Sequence, residues 1–124
     1  MSFADPAVVT INGSAKSLVR IRQDNYSSEY RLTTSTDEYR LNVRNDTRFD
    51  KKRGVSIDRH NVEVIQTVFP VAPATLSTVR KCYLVVENQK GDTLTDPVNV
   101  AAGLLAYMSA SSAANVTKML NMES

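Results

Sequence analysis

Arg40, Asn42 and Arg44 recur at every second position of the stretch DEYRLNVRND, Asp37 to Asp46. Lys81, Tyr83, Val85 and Glu87 repeat that rhythm in RKCYLVVE. Side chains two apart share one face of a strand. Guanidinium and ammonium groups can meet phosphates, and a tyrosine ring offers a base a stacking surface. The chemistry in view is that of a surface for single-stranded nucleic acid. A solvated outer sheet face would have much the same composition, so spacing alone leaves both readings open. The run RFDKKRG adds Arg48, Lys51, Lys52 and Arg53. It reads either as a solvated loop or as a sequence-independent phosphate contact, and the role of the Arg48–Arg53 segment stays open.

Other reactive residue types are sparse. His60 is the only histidine, and no nucleophile motif lies near it in sequence, so a structural or surface role is expected. Cys82 is the only cysteine. Alternation places it with Arg80, Leu84 and Val86, opposite Tyr83, and it reads as a small buried apolar residue. Asp58 and Glu63 could bind a cation, but two carboxylates without a ligand loop carry little weight. There is no phosphate-binding glycine loop, no zinc motif and no nucleophile elbow. The expectation is no enzyme, no catalytic residue, no metal ligand and no cofactor; a structural cation between subunits stays open.

The elements that must position these residues are bounded by composition. The chain has 124 residues, enough for a single domain spanning 1–124, and a formal charge of +2. That mild excess permits nucleic-acid binding only if the charge is clustered. Without tryptophan and with few aromatics, the core must rest on Val, Leu, Ile and Ala, and a partner is often needed to complete such a core. A lone cysteine fits a reducing compartment. The start MSFADPAVV is unlike a signal peptide, and no run approaches the roughly 20 apolar residues of a membrane span. A soluble protein made in a cytoplasm is expected.

Periodicity gives an α+β order. AVVTI and KSLVRIR flank Asn12-Gly13, a strong hairpin turn, giving a hairpin over about 7–22. SEYRLTT is a third strand and the Asp37–Asp46 stretch a fourth. Asn45 to Gly54 reads as a polar, basic connection. Val55–Phe69 and Leu76–Asn88 read as long strands, separated by the proline-containing loop Pro70–Thr75. The sheet thus runs over about 27–88. From Asp96 the period becomes helical, with Asp96 as N-cap and Pro97 at the first helical position. Val98, Leu105 and Met108 form an apolar stripe. A second, shorter helix follows over Ser112–Met122, so helices occupy about 96–122. Strands followed by helices predict an antiparallel meander with two helices on one face.

In this order and at this length, RIRQDNYSSEYRL, DRHNVEV and VRKCYLVVENQKGD resemble strands of the coat proteins of single-stranded RNA bacteriophages, the levivirus type and in particular the Caulobacter-phage branch. The resemblance covers nearly the whole chain. It implies a homodimer whose two sheets join edge to edge, with helices reaching across the partner. It implies icosahedral assembly of those dimers in the bacterial cytoplasm into a virion shell around genomic RNA. The open sheet face would line the interior, with the hairpin and helices outside, and the Pro70–Thr75 loop would lie near symmetry axes. RNA-binding positions on that face would be Arg40, Asn42, Arg44, Asn61, Lys81, Tyr83 and Glu87. Better-known members also bind an RNA hairpin at the replicase start and repress its translation. Val85 departs from that pattern, standing where those members have an asparagine, and an apolar side chain cannot read a base edge. Glu63 lies near a position that is basic in those members. Two other readings compete: a non-capsid, RNA-binding dimeric regulator, and a small enzyme centred on His60.

Overall fold

A computed structural model describes residues 3–124. Six strands form one antiparallel meander: β1 (Ala7–Ile11), β2 (Ser14–Gln23), β3 (Ser27–Thr33), β4 (Asp37–Asp50), β5 (Val55–Val68) and β6 (Thr78–Gln89). Each strand pairs with its neighbour in sequence. One helical element, α1 (Thr95–Leu120), closes the chain.

The first hairpin turns at Asn12 and Gly13, with φ of 53° and 73°, the left-handed pair that a two-residue hairpin requires. β2 serves two partners. Its first half, Ser14 to Leu18, pairs with β1, and its second half, from Val19, pairs with β3. The β1–β2 hairpin lies over one face of the meander, called here the covered face. Ala7, Val9 and Ile11 pack there against Leu18, Tyr30, Tyr39, Leu41 and Val43. Lys16 Nζ sits 5.3 Å from the centre of the Tyr39 ring. Tyr30 is completely buried and its hydroxyl accepts from Arg20 Nη2 at 2.9 Å. The alternation of Tyr39, Leu41 and Val43 thus points into the core, as their period of two requires.

β4 and β5 stay in register over their whole length, from Asp37 opposite Val68 to Asp50 opposite Val55. The strand therefore continues through Asn45–Asp50, where the sequence suggests a basic connection. The turn is confined to residues 51–54, with Gly54 at φ 68° and its N–H donating to Asp50 O at 2.8 Å. Arg48 belongs to a strand; Lys51, Lys52 and Arg53 form the exposed tip. β3 reaches only as far as Arg44, so this distal arm is flanked by β6 alone.

At the helix start the capping differs from expectation. The Thr93 hydroxyl donates to Asp96 Oδ2 at 2.8 Å and accepts the Asp96 N–H at 3.3 Å. Asp96 lies inside the first turn, where its charge suits the helix dipole. The two expected helices form one span broken at Ala110–Ala113, where Ser111, Ser112 and Ala113 adopt left-handed φ of 55–60°. Asn115 Nδ2 bridges the break to Tyr107 O at 2.8 Å. No residue of α1 is buried. The helix touches the rest of the chain chiefly through β6, and Leu104, Leu105 and Tyr107 remain exposed.

Candidate nucleic-acid interface

Antiparallel register preserves side-chain parity, so cross-strand rows decide which residues share a face. On the face opposite the hairpin, Arg40 stands beside Ile65 and Lys81. Asn42 stands beside Glu63 and Tyr83, and Arg44 beside Asn61 and Val85. Asp46, Arg59 and Glu87 form the next row. All seven residues named from the sequence, Arg40, Asn42, Arg44, Asn61, Lys81, Tyr83 and Glu87, lie on this open face. Tyr83 is 60% exposed, which leaves its ring free to stack. Asn61 Oδ1 is buried and has no hydrogen-bond partner among the described residues.

The open face is not uniformly basic, because carboxylates pair with its arginines. Arg40 Nε donates to Glu38 at 2.7 Å and Nη1 to Glu29 at 2.8 Å. The Glu38 hydrogen bond, followed by the Coulombic pull of Glu38 and Glu29, raises the Arg40 pKa against its desolvation. Arg44 Nη2 lies 3.5 Å from Glu63 Oε1, which also accepts Asn42 Nδ2 at 3.1 Å. Arg48 and Arg59 both approach the Glu87 carboxylate at 3.5 Å. Glu87 is thus a counter-ion for two arginines, and Arg40 is held by carboxylates on two strands. Lys81 is exposed.

Three arginines of this face escaped the sequence reading, Arg22, Arg31 and Arg59, and for Arg22 the cause is a bulge. Plain alternation would put Arg20 and Arg22 on the same side of β2. Register slips between them: Arg20 pairs with Tyr30 and Arg22 with Glu29. The extra residue makes a bulge, and a bulge re-aims the side chains that follow it. Arg20 therefore turns to the covered face and Arg22 to the open one. Nothing in RIRQD signals this slip.

The covered face holds the remaining chemistry. His60 Nδ1 lies 2.7 Å from Asn45 Oδ1, and Nε2 3.1 Å from Asn88 Oδ1. Asn45 Nδ2 donates to Tyr26 O at 3.1 Å, which orients its oxygen toward the ring. Among the described residues, neither ring nitrogen meets a hydroxyl or a thiol; both are held by asparagine amides. Cys82 shares this face but is exposed, not buried. The hairpin covers the β3–β5 half of the sheet and leaves β6 bare. Among the described residues, no three His, Cys, Asp or Glu gather as a metal site. Among them, too, no helix is long and apolar enough to cross a membrane.

At one end of this sheet Asp37 closes a polar cluster. It accepts from Thr34 Oγ1 at 2.6 Å, Tyr39 Oη at 2.8 Å and Gln66 Nε2 at 3.1 Å. These bonds, Thr34's foremost, hold the Asp37 pKa at about 2. The reciprocal effect of Asp37 raises that of Tyr39.

The family model described as "Phage phiCb5, coat protein" matches residues 4–89, the whole of the meander. Comparison with curated proteins gives no match. Among solved structures, the coat protein of bacteriophage EMS014 is similar over 77% of this chain, with a TM-score of 0.62 and 20% identity. This chain spans 64% of that protein's length. A virus-like particle of bacteriophage AVE019 has a subunit similar over 87% of this chain and 88% of its own, with a TM-score of 0.57 and 11% identity. At these identities the likeness is one of fold.

Proposed function

The chain belongs to the phage phiCb5 coat protein family, and from that premise we propose that it is a shell subunit that dimerises and packages single-stranded RNA. The observation that carries this reading is the unfinished surface along β6. β6 pairs only with β5 and ends the sheet. Its outer backbone groups, with the exposed Val79, Cys82 and Tyr83, lie next to a helix that buries none of its own residues. An open edge strand pairs readily with another chain. Pairing with a second copy of β6 would extend the sheet, bring the open faces into one surface, and give the apolar side of α1 a partner to cover.

On this reading the open face turns toward the RNA, and the covered face, with the hairpin and α1, turns away. Lys81 and Arg44 supply phosphate contacts, Tyr83 a stacking ring, and the Lys51–Arg53 tip further positive charge. Repression through the replicase-start hairpin would require base-edge contacts beside Arg44 and Asn61. Val85 stands in that row and has no hydrogen-bonding group, so packaging is the better supported role.

Expression of the full chain in bacteria, followed by size exclusion and electron microscopy, tests the proposal. Closed shells containing nuclease-protected RNA are expected. A dimer that binds RNA but never assembles would favour a free regulator; a monomer would overturn both readings.

A further inference from the structure

On the open face, away from Tyr83, the β2 bulge creates a cleft of about 340 Å³ that includes Arg22, Ser27, Glu29, Arg40, Asn42 and Arg44 in its lining. Three guanidinium groups meet there with one carboxylate. That carboxylate is already engaged, since Glu29 accepts Arg40 Nη1 at 2.8 Å. Arg40 is further tied to Glu38. The Arg40 cluster is therefore satisfied internally; Arg44 is partly offset by Glu63, 3.5 Å away, and the uncompensated positive charge of the cleft rests chiefly on Arg22. Arg22 is exposed and has no ion pair among the described residues. Glu29, its register partner on β3, is bonded to Arg40, and Asp24, two residues on, accepts the N–H groups of Tyr26 and Ser27 on Oδ1 at 2.9 and 2.8 Å. Those bonds fix the β2–β3 turn as a firm rim. Two arginines from different strands, beside the Asn42 amide, suit the tetrahedral oxygens of a phosphodiester.

We propose that this cleft is a phosphate subsite for the RNA backbone, with Arg22 and Arg44 as its ligands. The proposal rests on the open face being the RNA surface. It also gives the strand a direction. From β6, which carries Tyr83, to β2, which carries Arg22, are four strand intervals, about 19 Å at the usual spacing, within reach of a few nucleotides. A stack on Tyr83 and a phosphate at Arg22 make the RNA run across the strands, not along them.

The test uses the full-length protein and a fluorescently labelled oligouridylate, with binding followed by anisotropy from 50 to 300 mM KCl. Each phosphate neutralised on a single strand contributes about 0.7 to the slope of log K against log salt. Arg22→Ala is expected to flatten the slope by about 0.7 and weaken binding roughly fivefold at moderate salt. Arg22→Lys should keep the slope, which separates charge from packing, and circular dichroism checks the fold of both variants. If Arg22→Ala matches wild type while Arg44→Ala flattens the slope, the cleft is not a phosphate subsite and the open-face reading stands. If Arg22→Ala, Arg44→Ala and Lys81→Ala all match wild type, the open-face reading fails and the subsite falls with it.

Discussion

Glu63 Oε1 lies 3.5 Å from Arg44 Nη2 and accepts the Asn42 amide at 3.1 Å, so one nearly buried carboxylate holds two residues of the proposed RNA face. Arg44 itself is more than half exposed. Such a pair contributes at most about 1 kcal/mol to stability. Its larger effect is to compete with phosphate for the guanidinium. Glu63→Gln keeps an oxygen for Asn42 and removes the competing charge. Tighter binding of oligouridylate, by roughly threefold to tenfold, and a steeper salt dependence are expected. Equal or weaker binding in the same anisotropy titration would show that Glu63 does not restrain Arg44.

Leu18 is 1% exposed and links the hairpin to the meander. Leu18→Ala should cost about 2–5 kcal/mol, the range for cavities left by buried leucines. Val8, on the outer side of the same hairpin, is 61% exposed. Val8→Ala should shift the melting temperature little. Thermal melts of the two variants, followed by circular dichroism, make the comparison; similar losses would mean the hairpin does not cap the core.

The folded Asp37 carboxyl titrates at about 2, below its ordinary value of 3.8. A lowered carboxylate pKa stabilises the fold fully above the unfolded value, and that contribution is lost as pH falls through the folded one. Wild type should therefore exceed Asp37→Asn in stability at pH 5, and the gap should close between about pH 4 and pH 2. Urea midpoints across that window give the answer. A gap that stays constant would assign the difference to packing.

Leu105 is half exposed on α1, a helix with no buried residue. Leu105→Asp should leave the far-ultraviolet spectrum of the sheet intact and abolish shells in electron micrographs, because the charge would enter the proposed interface between copies. Normal shells from this variant would remove α1 from the contact.

Much of this arrangement is legible in the residues. Asn12-Gly13 marks a turn by chemistry alone. Tyr39, Leu41 and Val43 declare their face by period, and antiparallel pairing carries that parity from β4 to β6, which is why seven scattered residues emerge on one side. What stayed hidden depends on non-local geometry. The carboxylates that neutralise Arg40 and Arg44 come from residues 2 to 19 positions away along the chain, brought near mainly by register. The bulge that turns Arg22 over has no local signature. The strand through Arg48 looked like a loop because its side chains, Phe49 apart, are polar on both faces. Cys82 is exposed because the hairpin that covers β3–β5 does not reach it. The bend at Ser111–Ala113 uses left-handed backbone without the glycine that would announce it.

The neighbour-by-neighbour order of the strands also bears on synthesis. A chain leaving the ribosome exposes its N-terminal part first, and each new strand here finds its partner already made immediately before it. The sheet can grow by addition, with no long loop to close. β6, the strand with the open edge, is the last strand of the sheet to be made, and α1 comes after it. At each stage the open edge of the growing sheet belongs to the strand made last, and the next strand covers it.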